Sequence, residues 1–135
     1  MYRKLGFAEL AAALLGVLRR NTPYDVYDAV PEDAASPFLF AEIVGKRNAS
    51  SKTTWKEVFT VNLHCIAKPS PARAEVYKMI QAVEEAMTVQ LVLPEGIQCL
   101  MQTEAGVQSM QLDDTGEWHA VLSYEIMTSN GLKIK

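Results

Sequence analysis

Leu5, Leu10, Leu14, Val17 and Leu18 recur at near-helical spacing, which predicts a first helix over Leu5 to Arg20. Arg19 and Arg20 fill its last turn, Asn21 stops it and Pro23 stands just beyond. The period then changes. Phe38 to Gly45 is rich in aromatic and β-branched residues, and Thr54 to Ala67 sets Trp55, Phe59, Val61, Leu63 and Cys65 against Thr54, Lys56, Thr60, Asn62 and His64. Two strands are expected, the second half-buried. The polar, basic link between them, Gly45 to Thr53, closes an antiparallel hairpin with a protruding tip. Ser70 as N-cap and Pro71 at the first position then open a second helix to Thr88. Its apolar stripe is Val76, Met79, Ile80, Val83 and Met87, with Glu75, Lys78, Gln81, Glu84 and Glu85 on the outer face.

Beyond Pro94-Glu95-Gly96, short strands are expected at Ile97–Gln102, Val107–Leu112 and Trp118–Thr128, separated by Glu104-Ala105-Gly106 and by Asp113 to Gly116. The order is therefore α-β-β-α-β-(β)-β. Two helices are too few to cover both faces of a parallel sheet, so the expected fold is α+β, an antiparallel sheet with both helices packed on one face.

Between the first helix and the first strand, Tyr24 to Val44 joins two elements without placing a reactive group. Pro31 and Pro37 push the residues before them towards extended backbone, and Asp25, Asp28, Asp33 and Ser36 supply turn-forming side chains. A long, partly pinned loop follows, of the kind that usually has a function.

The 135 residues suit one domain spanning the whole chain, able to bury about two thirds of its unfolded surface. A net charge of only -3 and the lack of a basic stripe with interleaved aromatics argue against nucleic acid as a partner. Glu9 interrupts the apolar run that follows Arg3-Lys4, so a soluble helix is expected there and not a signal peptide. No segment is apolar for long enough to span a bilayer, and no membrane partner is expected.

The chemistry is sparse. Asp114-Thr115-Gly116 spells the aspartic-protease triplet, but it lies between two alternating strands and is expected to be a turn. His64 and His119 fall on the polar faces of their strands, and Cys65 falls on the face opposite His64, so the two cannot ligate together within a regular strand. Cys65 and Cys99, without a recurring spacing, are expected to be reduced core residues. Gly45-Lys46-Arg47 lacks the spaced glycines and Lys-Ser/Thr ending of a phosphate loop. No catalytic residue, cofactor or metal is assigned, and the chain is expected not to be an enzyme.

Read in order, the helix ending Leu18-Arg19-Arg20-Asn21, the Val26-Tyr27-Asp28-x-Val30-Pro31 segment, Pro37-Phe38-Leu39 opening a strand, the Phe59-Thr60-Val61-Asn62-Leu63-His64-Cys65 strand and a helix after Ser70-Pro71 resemble tail completion, or tail-to-head joining, proteins of long-tailed bacteriophages, related to tail terminators. The resemblance runs from about Leu5 to Asn130. It implies a structural virion subunit that caps the tail tube as a ring, a hexamer, and docks onto the head connector or stopper protein. It also implies assembly in the host cytoplasm and a place at the head-tail interface of the virion; because a subunit that caps a polymer must not polymerise beforehand, the free form is expected to be mainly monomeric. The alternatives are a small α+β hydrolase or ligand-binding domain using His64, His119 or Asp114, and a head-completion adaptor.

Charge adds a candidate interface. The first loop carries Asp25, Asp28, Glu32 and Asp33, and the hairpin link carries Lys46, Arg47 and Lys52 with no acid. A ring built head to tail joins two different patches of each subunit, and patches of opposite sign suit it, so these loops are expected to meet between neighbours or to contact the tail tube and head connector.

Overall fold

The leucine stripe of the first helix finds its partner in a sheet. In the computed structural model, which describes residues 1–133, α1 (Phe7–Asn21) buries Leu10, Leu14, Val17 and Leu18. It starts later than the periodicity suggests because Gly6 is extended and gives its N–H to Glu9 Oε1 at 3.1 Å. Leu5, left outside the helix, is a buried anchor. At the other end Arg19 donates to the Val26 carbonyl at 2.7 Å and ties the helix to the next strand.

That strand, β1 (Asp25–Tyr27), is a short element inside the expected loop, and it pairs in parallel with β2 (Phe38–Asn48). β3 (Thr54–Ile66), β4 (Gln98–Leu112) and β5 (Trp118–Leu132) complete a five-stranded sheet in the order β1-β2-β3-β5-β4, antiparallel except for the first pair. With α2 (Ala74–Ala86) the protein has the expected α+β fold. Both helices touch each other and the same side of the sheet. Leu39, Ala41, Phe59, Val61, Leu63, Cys65, Ala120, Leu122, Tyr124 and Ile126 meet them there as one core. Among the described residues no helix lies over the opposite sheet face.

Further boundaries differ from the sequence reading. α2 starts at Ala74 and not at Pro71, because Ser70 Oγ accepts from the Ala72 N–H at 3.1 Å and so closes a turn ahead of the helix. The hairpin link is shorter than Gly45 to Thr53: β2 continues to Asn48, which puts Lys46 and Arg47 inside the strand. The two expected strands Ile97–Gln102 and Val107–Leu112 are one, β4, because Glu104-Ala105-Gly106 makes a bulge and not a turn. Gly106 has φ +97 there, and Gln108 Nε2 donates to the carbonyls of Ala105 and Gly106 at 3.2 and 3.1 Å. Gly106→Ala is expected to lower folding stability by about 1–2 kcal/mol, since side chains other than glycine are strained at positive φ. An unchanged urea midpoint would contradict this.

β4 is one edge of the sheet and is out of register at three places, leaving Leu100, Ala105 and Gln108 without a cross-strand partner on β5. Gln102, on the same strand, holds the segment after α2: the Leu91 N–H donates to its Oε1 at 2.7 Å, and its Nε2 donates to the Met87 and Val89 carbonyls.

Candidate functional site

The candidate charges lie on separate surfaces. Asp25, Asp28, Glu32 and Asp33 are all exposed, on β1 and on the segment leading back to β2. Lys46, Arg47 and Lys52 lie at the far end of β2 and at the hairpin tip. Because β1 ends opposite Phe40, the outer half of β2 is a free edge, where charged side chains are favoured. Among the described residues no ion pair joins the acidic set to the basic one.

The basic side chains are not equivalent. Lys46 Nζ is 3.5 Å from Glu57 Oε2, and it also stands over the Phe7 and Phe59 rings at 5.3 and 5.9 Å. Glu57 is almost fully buried, and Lys4 reaches the same oxygen at 3.5 Å, so this carboxylate clips β2 and the N-terminal segment onto β3. Arg47 pairs with Glu125 at 3.0 Å across the open sheet face, where both are well exposed. Such a pair is worth about 0–1 kcal/mol. Lys52, at the tip, makes no ion pair among the described residues.

Glu57 was not legible as a site residue, nor was the N-terminal segment. Tyr2 stacks on Trp55 at 4.2 Å and Lys133 stands over the same indole at 4.4 Å. Trp55 and Glu57 share the core-facing side of β3, which the alternation of that strand does indicate.

The two histidines, read separately as polar-face residues, meet on the open face. His64 Nδ1 is 2.8 Å from His119 Nε2, and His64 Nε2 is 2.7 Å from Glu42 Oε1. Phe40 stacks flat on His64 at 4.0 Å. His119 Nδ1 in turn is 3.4 Å from Asp113 Oδ2. Burial and the nearby His64 charge hold the His119 imidazole below the ordinary histidine range, and Asp113 pulls the other way. Only the β3–β5 register brings these rings together, so neither strand alone could reveal the contact.

The remaining motifs are structural. Asp113 N–H donates to the Glu117 carbonyl at 2.8 Å and Gly116 N–H to the Asp113 carbonyl at 2.9 Å, so Asp114-Thr115-Gly116 is the expected turn. Gly116, at φ +81, allows it. Cys65 and Cys99 are free and buried, and burial pushes the Cys65 thiol up to about 12, far from a reactive thiolate. Burial also raises the Cys99 thiol. Among the described residues no group of three or more His, Cys, Asp or Glu is placed to hold a metal, and no helix is long and apolar enough to cross a membrane. A depression of about 470 Å³ lies between Ala12, Ala13 and Gly16 of α1 and the Val92–Pro94 segment, and one of about 360 Å³ lies between α1 and β2 beside Asp28.

The architecture has a counterpart among solved structures. A chain of the "Virion of native gene transfer agent (GTA) particle" superposes with a TM-score of 0.71 at 20% identity, over 90% of this chain and 96% of that one. At that identity the likeness is one of fold. No individual curated protein sequence matches the chain. The model of a phage tail terminator family, described as "Putative tail termination protein", matches residues 1–135, the whole length. The resemblance read from the order of elements is thus supported by a second and independent comparison, and the chain belongs to this phage tail terminator family of structural tail-assembly proteins.

Proposed function

We propose that this chain, as a single domain, ends the phage tail tube as one subunit of a ring, a hexamer, and provides the surface on which the head connector docks. Family membership supports the tail role. The observation that carries the ring is the separation of the acidic segment (Asp25, Asp28, Glu32, Asp33) from the basic end (Lys46, Arg47, Lys52) with no ion pair between them among the described residues. Lys46 and Arg47 already pair with Glu57 and Glu125, but Lys52 and the four acids make no ion pair among the described residues and are available to the next subunit, and a head-to-tail ring uses two unlike patches on every copy. The free subunit is mainly a monomer, assembled on its template in the host cytoplasm and retained in the virion between tail and head. The fold shared with a chain of a gene transfer agent virion is consistent with that place.

A hydrolase or ligand-binding domain would need polar side chains converging in a concavity. His64 and His119 converge instead on a sheet face without a helix over it, which favours assembly over catalysis. Electron microscopy of particles made with and without this protein tests the role. Heads and tails are expected to remain unjoined in its absence and to join when purified protein is added. Normal joining without the protein would discard the reading.

A further inference from the structure

The line Glu42–His64–His119–Asp113 contains three contacts and only two imidazoles. A neutral imidazole carries one N–H, so two neutral rings supply two protons to three contacts. The two short contacts take them. His64 Nε2–H donates to Glu42 at 2.7 Å, and His119 Nε2–H donates to His64 Nδ1 at 2.8 Å. His119 Nδ1 is then a bare lone pair facing the Asp113 carboxylate, and 3.4 Å is too long for a formed charge-assisted bond.

We propose that this line is a proton-operated tether for the β4–β5 turn: one proton taken from solvent onto His119 Nδ1 extends the chain of hydrogen bonds to Asp113 and draws the turn onto the open sheet face. The proton ends on the nitrogen, and the imidazolium N–H donates to Asp113 Oδ2. A bond of that kind closes to about 2.7–2.9 Å, so Asp113 moves inward by about 0.5–0.7 Å. The turn follows, because Asp113 holds both of its backbone hydrogen bonds, to Glu117 and from Gly116. Gly116 passes the movement on through its carbonyl, which accepts from the Ser70 N–H at 3.3 Å in the segment before α2.

The groups that face the pair come from each neighbouring element. β2 contributes Glu42 and the Phe40 ring, the β4–β5 turn contributes Asp113, and Gln111, opposite His119 on β4, is uncharged. Burial and the neighbouring His64 oppose protonation of His119, and Asp113 favours it. The net effect is downward, so the tether is open at neutral pH and closes on acidification below the ordinary histidine value of about 6.5. It stands independently of the tail role.

Nitrogen-15 NMR of the histidine rings in the full chain, followed through an acid titration, tests the tether. At neutral pH His119 Nδ1 is expected to be unprotonated and Nε2 protonated. On acidification Nδ1 gains a proton in one step, and the protection of the Gly116 amide, its exchange compared with an unstructured glycine at the same pH, rises in that same step. Asp113→Asn should shift the His119 step to lower pH and uncouple Gly116 from it. A protonated Nδ1 at neutral pH, or a Gly116 amide indifferent to the His119 step in the unaltered protein, overturns the proposal, and either result is available even if a variant does not fold.

Discussion

Phe59→Ala is expected to lower folding stability by about 3–5 kcal/mol. The ring is fully buried at the centre of β3, beneath the start of α1, where it meets Phe7 edge-on with centroids 6.0 Å apart. It also lies under Lys46 Nζ, which pairs with Glu57. Truncation therefore leaves a cavity and removes the ring beneath the ammonium that pairs with a nearly buried carboxylate. The neighbours cannot collapse into the gap easily, because Val61 and Glu57 are fixed on the same face by pairing to β2 and β5. Domains are stable by only about 5–15 kcal/mol, so the loss is about a fifth of the total or more. Urea unfolding with an unchanged slope and a much lower midpoint is the expected result. A loss under about 1 kcal/mol would mean that the Phe59 ring is not central to the core.

The second large effect concerns assembly. Reversing Asp28, Glu32 and Asp33 to lysine, or Arg47 and Lys52 to glutamate, should each prevent ring formation, and the two sets combined in one chain should restore it. Lys46 is left out because a glutamate there would face Glu57 across 3.5 Å and destabilise the subunit itself. Disrupting an interfacial charge pair that has been dehydrated costs about 2–5 kcal/mol, a loss of about thirtyfold or more in association. Rescue by the combination is the informative arm, since a general loss of folding would not be repaired by a second set of reversals. Single reversals without effect, or a combination that stays inactive while every variant folds, would refute contact between the two patches of neighbouring copies. Arg47 is the less decisive member, because its bond to Glu125 uses part of its charge within the chain.

What the sequence revealed follows from how local each signal was. The stripe of Leu10, Leu14, Val17 and Leu18 and the alternation of Phe59, Val61, Leu63 and Cys65 are complete within one element, and both were legible. β1 was not, since three residues carry no period and its pairing to β2 depends on the returning loop. β4 was read as two strands because a glycine at positive φ serves a bulge as well as it serves a turn, and only the partner strand decides between them. The helix start at Ala74 was missed because Ser70 can satisfy the N–H of a preceding turn as readily as that of a helix. In the candidate site, the exposure of the charged residues was foreseeable, but the role of Glu57 was not, because a lone glutamate in an alternating strand gives no sign that two lysines will close over it.

The three unpaired residues of β4 have an effect at high local concentration. A fifteen-residue strand on the rim of a sheet is a template on which foreign chains can add without limit, and such addition ends in fibrils. Leu100, Ala105 and Gln108 each shift the rim by one residue, so a regular incoming strand loses step after about four residues and cannot keep its hydrogen bonds in line. Copies crowded together at one place can therefore meet through their side chains without fusing through their backbones.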